Sequence, residues 1–252
     1  QHSPSPAIIR EKTTPAHLPG KEETAMVWGI LGALDEEVAL IQQNMEIESA
    51  TKIYGTTVYT GKVYGQQVVL VCCGIGKVNA AACASVVLRE FGADAIINVG
   101  IAGAAAPQMN ILDVVLSDEV VFHDTCKAME EYYPFTQTFR ADETLLRLAE
   151  EACQAVLEEP FHFHVGRIAT GDQFVESKAV KDDIVSRTHP LCVEMEGAAV
   201  GQIAVMNNKP FLVIRSMSDN AEDNANDLYD NFIELAAGHS AAIILEMLKK
   251  SK

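Results

Sequence analysis

The sequence predicts an α/β fold, a single domain built on a central, twisted, mixed β-sheet flanked by helices. Short apolar runs of strand length, Val27–Leu34, Asp94–Gly100 and Phe211–Met217, alternate with amphipathic stretches of helical length. That alternation is the pattern of a largely buried sheet covered by helices. Two β-rich runs, Thr56–Val63 and Gln66–Cys73, flank Tyr64-Gly65 and read as a hairpin, so the sheet is mixed. The chain has 252 residues, and residues 1–25 hold four of its nine prolines without an apolar period. They read as an extended leader, which leaves 26–252 as one body.

The elements follow in order. After the strand at Val27–Leu34, Asp35 precedes an amphipathic helix over Glu36–Asn44, with acids in its first turn where the helix dipole favours them. The hairpin is followed by Gly74-Ile75-Gly76-Lys77 and an Ala-rich helix to about Phe91. The strand Asp94–Gly100 closes on Ile101-Ala102-Gly103. Ile111–Phe122 reads as a strand, Asp142–Leu157 as an amphipathic helix and His164–Thr170 as a strand. Leu191–Met195, a helix from Gly197 to Asn207, the strand Phe211–Met217 and a helix from about Asp227 to Lys250 complete the chain.

Composition narrows the function. Hydrophobic residues make up 48% and charged residues 21%, as in an ordinary globular protein. With 19 basic against 35 acidic residues, the net charge of −16 repels phosphate backbones, so no nucleic-acid partner is expected. No apolar run reaches the roughly 18 residues that span a bilayer, so no membrane role is expected either. The six cysteines form no CxxC pair and sit mostly in apolar stretches, which reads as reduced thiols and a cytoplasmic location. A processed N-terminus would leave export open. His162 and His164 would share one strand face, yet no third ligand lies at a recognisable spacing, so no metal is expected.

In layered α/β proteins, ligands bind where strands end in loops. Three carboxylates stand just past apolar runs: Glu37 beside Asp35 and Glu36, Glu196 in Val193–Glu196, and Asp219 after Ser218. One such acid reads as a helix cap; three at equivalent positions would converge on one rim, where environment can divide acid and base roles. Glu194 reads equally as structural. Gly74-Ile75-Gly76-Lys77 lacks the remaining positions of a dinucleotide or P-loop motif. Close approach of backbone to a ligand is the expected purpose of Gly74, Gly76, Gly100 and Gly103.

Several of these segments resemble a known family. Gly29–Val38 (GILGALDEEV), Gly74–Ala80 (GIGKVNA), Asn98–Gly103 (NVGIAG), Thr170–Val175 (TGDQFV), Val193–Ala198 (VEMEGA) and Ser218-Asp219 are similar, in order and spacing, to 5′-methylthioadenosine/S-adenosylhomocysteine nucleosidases. These belong to the nucleoside phosphorylase superfamily, and the likeness spans about Val27 to Leu248. The resemblance implies a nucleoside phosphorylase-like fold and hydrolysis of the N-glycosidic bond of adenine nucleosides. It implies that Asp219, oriented by Ser218, protonates adenine N7 and that Glu37 holds and activates the attacking water. Glu196 would bind the ribose hydroxyls with Met195 beneath the sugar. Phe174 would stack on the base, the Val175 backbone would read its edge, and Gly103 would lie against the purine. Ile75 and Tyr229 would line the 5′ side. No cofactor is implied, and a homodimer is, with residues 123–140 near its interface.

Two departures stand out. Ile101 occupies a place where the resemblance leads one to expect Ser or Thr, removing a hydroxyl beside the acid, and His123–Met129 differs from the family's usual run. The 5′ substituent is therefore the open part of the substrate. Two alternatives share the fold: a phosphorolytic purine nucleoside phosphorylase, which needs cations around phosphate, and a non-catalytic nucleoside-binding or surface protein.

Overall fold

The computed structural model describes residues 26–126, 128, 129, 132, 136–222 and 225–251. The expected leader, residues 1–25, lies outside the described residues, as does part of the 123–140 segment. The chain runs β1 (Val27–Gly32), α1 (Asp35–Gln43), β2 (Glu46–Ile53), β3 (Thr56–Val63), β4 (Gln66–Cys72), α2 (Lys77–Arg89), β5 (Ala95–Ala104) and β6 (Val114–Phe122). It continues with β7 (Thr138–Arg140), α3 (Glu143–Val156), β8 (Phe163–Thr170), α4 (Lys178–Thr188), β9 (Cys192–Glu194), α5 (Gly197–Met206), β10 (Phe211–Asp219) and α6 (Ala225–Lys250).

All ten strands form one mixed sheet in the order β2-β3-β4-β1-β5-β9-β8-β6-β10, with β7 beside β6. The expected hairpin is present as antiparallel β3 and β4. β10 also pairs in parallel with β5, so β5, β9, β8, β6 and β10 close into a ring. Local sequence patterns carry no signal for that closure. Three elements went unread in the sequence: β2, β7 and α4. His162 precedes β8, so only His164 lies on that strand, contrary to the shared strand face expected for the pair. His164 Nε2 lies 3.8 Å from Asp113, and His162 Nε2 lies 3.8 Å from Glu159.

Alternating strand residues feed two cores. On one face Leu31, Phe211 and Val213 pack with Cys83 and Val87 of α2 and Val200 of α5. On the other, Ile30, Leu212 and Ile214 pack with Ile41 of α1, Leu145 of α3 and Ile244 of α6. Strands buried on both faces explain the unbroken apolar runs. Within α6, Asp227–Lys250 is long and apolar enough to cross a bilayer by length and composition, a stretch that the expectation of no such run overlooked. It packs instead against α1, α3 and β10, and half of its apolar window is buried there. The cost of opening such a core is visible at Phe211, 1% exposed, whose truncation to Ala removes contacts worth about 3–5 kcal/mol.

Candidate active site

A cavity of about 370 Å³ opens where β1, β5, β9 and β10 end, within the size range of small-molecule sites. Every residue to which the resemblance assigns a catalytic or binding role lines it. Glu37, Asp219, Glu196 and Ser218 supply the polar wall. Ile75, Phe174, Val175, Met195 and Tyr229 supply the apolar one, and Gly103 contributes backbone.

Glu37 stands in the first turn of α1, and its side chain turns back over the helix N-terminus. One oxygen, Oε2, accepts from the N–H groups of Ala33 at 2.5 Å and Leu34 at 3.0 Å, while Oε1 accepts from Ile101 at 3.0 Å. Helix-terminal N–H groups lack partners within the helix, so the carboxylate satisfies them and ties β1 to β5. A Cβ at position 100 would lie 2.3 Å from Glu37 Oε1, which is why glycine stands there. Burial pushes the Glu37 carboxyl above the ordinary range, against the opposing pull of Arg215 and the three backbone N–H groups.

Asp219 ends β10 opposite Gly103 of β5. The register slips between Met217 and Asp219, an irregularity of the kind that re-aims a side chain at a strand end. Its Oδ1 accepts from Ala221 N at 2.8 Å and its Oδ2 from Ser218 Oγ at 2.8 Å. A Cβ at Gly103 would come within 2.8 Å of Asp219 Oδ1. The glycines thus admit the site's own carboxylates, a more specific purpose than general closeness to a ligand. Burial raises the Asp219 carboxyl above the ordinary range, partly offset by Ala221 N–H, Ser218 and Lys181.

Glu196 precedes α5, and its Oε1 accepts from Gly76 N at 2.7 Å. Gly76 adopts φ +98°, a conformation costly for other residues, which turns its amide toward the carboxylate. Burial and the neighbouring Glu194 push Glu196 well above the usual carboxylate range. Glu194 itself is structural in its contacts. It accepts from Thr170 Oγ1, from Gly197 N at 2.7 Å, from Glu196 N at 3.1 Å and from the Arg215 guanidinium. Arg215, 1% exposed, also donates to Asn98 and lies 3.7 Å from Glu196. Arg215 is assigned no role from the sequence; its one signal there is a charged residue inside a strand otherwise apolar over Phe211–Ile214 and buried throughout.

Phe174 and Tyr229 meet edge to face at the mouth, ring centroids 5.7 Å apart. Asp35 and Glu36, by contrast, are exposed and do not line the cavity, so of the three adjacent acids only Glu37 joins Glu196 and Asp219 there. Among the described residues, the cavity lining contains no Lys, Arg or His.

The family model of the phosphorylase superfamily matches residues 28–249. A 5′-methylthioadenosine/S-adenosylhomocysteine nucleosidase of Oceanobacillus iheyensis is 36% identical over 232 residues, covering 89% of this chain and 100% of the relative. One from Aeromonas salmonicida is 38% identical, covering 88% and 98%. The chain belongs to the 5′-methylthioadenosine/S-adenosylhomocysteine nucleosidase family. Among solved structures, the nucleosidase of Neisseria meningitidis in complex with methylthio-immucillin-A superimposes with a TM-score of 0.84 at 32% identity, covering 89% of this chain and 99% of that one.

Against that family background, Ile101 keeps a backbone role, since its N–H holds Glu37, while its side chain adds apolar surface to the cavity. Gln173 and Asp230 also line the nucleosidase cavity, and neither was singled out in the sequence.

Proposed function

We propose that the chain hydrolyses the N-glycosidic bond of adenine nucleosides such as 5′-methylthioadenosine and S-adenosylhomocysteine, releasing adenine and the thioribose. The observation that carries this is one cavity that brings the buried carboxyl groups of Glu37, Glu196 and Asp219 together, with Glu194 held by Arg215 at its edge, and, among the described lining residues, no cation to receive phosphate. Breaking the bond from C1′ to N9 leaves a cationic sugar and an anionic purine. Asp219, whose surroundings favour the protonated form, gives its proton to N7 of the leaving base. Water adds to C1′ as Glu37 accepts its proton. Positioned proton transfer of this kind contributes about 10²–10⁴-fold.

The other lining residues divide by chemistry. Glu196 accepts hydrogen bonds from the ribose hydroxyls above Met195. Phe174 faces the base, Val175 offers backbone to its edge and Gly103 lies against the purine. Ile75 and Tyr229 meet the 5′ substituent, and Ser218 orients the acid. The protein acts as a homodimer, a reading supported by two exposed apolar side chains, Ile75 in the cavity lining and Val78 three residues on in the first turn of α2. Six free thiols favour a reducing, cytoplasmic setting.

The test is adenine release from methylthioadenosine by the purified protein, followed by its 2′-deoxy analogue. A site built to bond a hydroxyl rejects an analogue lacking it. Glu196→Ala is expected to narrow the ratio of kcat/KM between the two substrates. An unchanged ratio removes Glu196 from the sugar site, and no adenine release refutes the activity.

A further inference from the structure

The turn that carries Asp219 is held only in part by its own bonds, Ser218 Oγ and Ala221 N to the carboxylate. Ala221 adopts φ +52°, a left-handed conformation that costs a non-glycine residue about 1–3 kcal/mol and persists only where surroundings impose it. Asn220 Oδ1 is buried with no hydrogen-bond partner among the described residues, so that oxygen does not anchor the turn. The anchor comes from α4. Lys181 Nζ donates to Asn220 O at 3.0 Å and to Glu222 Oε1 at 2.7 Å, spanning the turn from both sides of Ala221. The Lys181 side chain is only 13% exposed, so its ion pair is less screened than one on the open surface.

The same helix begins just after the loop bearing Phe174 and Val175. Val175, Ile184 of α4 and Ala221 share one small core. Base-side loop, α4 and acid-side turn therefore form one packed unit with Lys181 as its polar tie. We propose that Lys181 is a positioning residue, clamping the 219–222 turn onto α4 so that the Asp219 carboxyl stays aimed at the leaving base. The reaction invoked is the one proposed above, and the clamp deepens it. Its charge also opposes the effect of burial on Asp219.

Lys181→Met keeps the aliphatic stem and removes the donors. The test compares methylthioadenosine with 4-nitrophenyl 5-methylthioriboside, whose phenolate departs without needing a proton. With the adenine nucleoside, kcat should fall about 10-fold, a fraction of what general acid catalysis supplies, with KM little changed. The aryl riboside should turn over at the native rate, and Lys181→Arg should restore adenine release. Hydrogen exchange at the Ala221 amide, held by Asp219 Oδ1, should quicken in Lys181→Met. A parallel fall on both substrates would mark a merely structural role, and unchanged exchange would overturn the clamp. A native protein that releases no adenine would instead refute the nucleosidase reading, with exchange still deciding the clamp.

Discussion

Asp219→Asn is expected to lower kcat for adenine release by about 10²-fold or more while leaving the fold intact. The amide is nearly isosteric, and it can still meet Ser218 Oγ and Ala221 N, the two partners the carboxyl has now. What it lacks is a proton to give. Because burial raises both the Asp219 and the Glu37 carboxyls above their ordinary ranges, kcat should follow a bell-shaped pH profile, lost at low pH as Glu37 is protonated and lost again as pH climbs through the raised Asp219 value. Stability carries the signature of the second loss. An acid whose folded pKa is raised binds more protons folded than unfolded, so its contribution is complete below the unfolded value and lost as pH rises. Asn cannot ionise, so the variant should gain stability relative to the native protein over that window. Urea midpoints across pH, read beside kcat, check both halves. Near-native turnover would remove Asp219 from the acid role.

Arg215→Met should be the most destabilising single change at the site, by about 3–5 kcal/mol. The guanidinium lies beneath the cavity floor, bonded to Glu194 and to Asn98, and is 1% exposed. Methionine of similar reach leaves Glu194 buried beside Glu196 with no cation between them, and an uncompensated buried charge is the costly outcome. Converting Glu194 to Gln in the same chain should recover part of the loss, since the double variant holds one buried charge fewer. Urea denaturation of the two single variants and the double variant measures the coupling. A loss under about 1 kcal/mol for Arg215→Met would show that the pair is idle.

What the sequence revealed and concealed follows from how each element is buried. β1, β5 and β10 announce themselves because both faces are covered, so their apolar runs are unbroken. β2 is exposed at all but one of its residues, Ile53, so its sequence EIESATKI shows no apolar alternation to read. α4 buries only Ile184 and Thr188, too few to write a helical period. Ring closure joins residues 211–219 to 96–103, a non-local pairing with no local signature.

The site divides the same way. Glu37, Glu196 and Asp219 could be found because each stands at a strand end within a short motif. Their supports could not: Arg215 lies inside a strand, and Lys181 lies on a helix whose polar pattern resembles any solvated surface. Asp35 and Glu36 show the opposite case, acids of the same motif that lie outside the site. Adjacent in sequence to Glu37, they point away once α1 begins, because neighbouring residues do not share a helix face.

The central claim is that water, not phosphate, receives the sugar. Product analysis of methylthioadenosine turnover with and without millimolar phosphate tests it most directly. Free methylthioribose should form at similar rates in both, since the cavity presents Glu37, Glu196 and Asp219 and, among its described lining, no cation. A phosphate-dependent rate yielding methylthioribose 1-phosphate would contradict it.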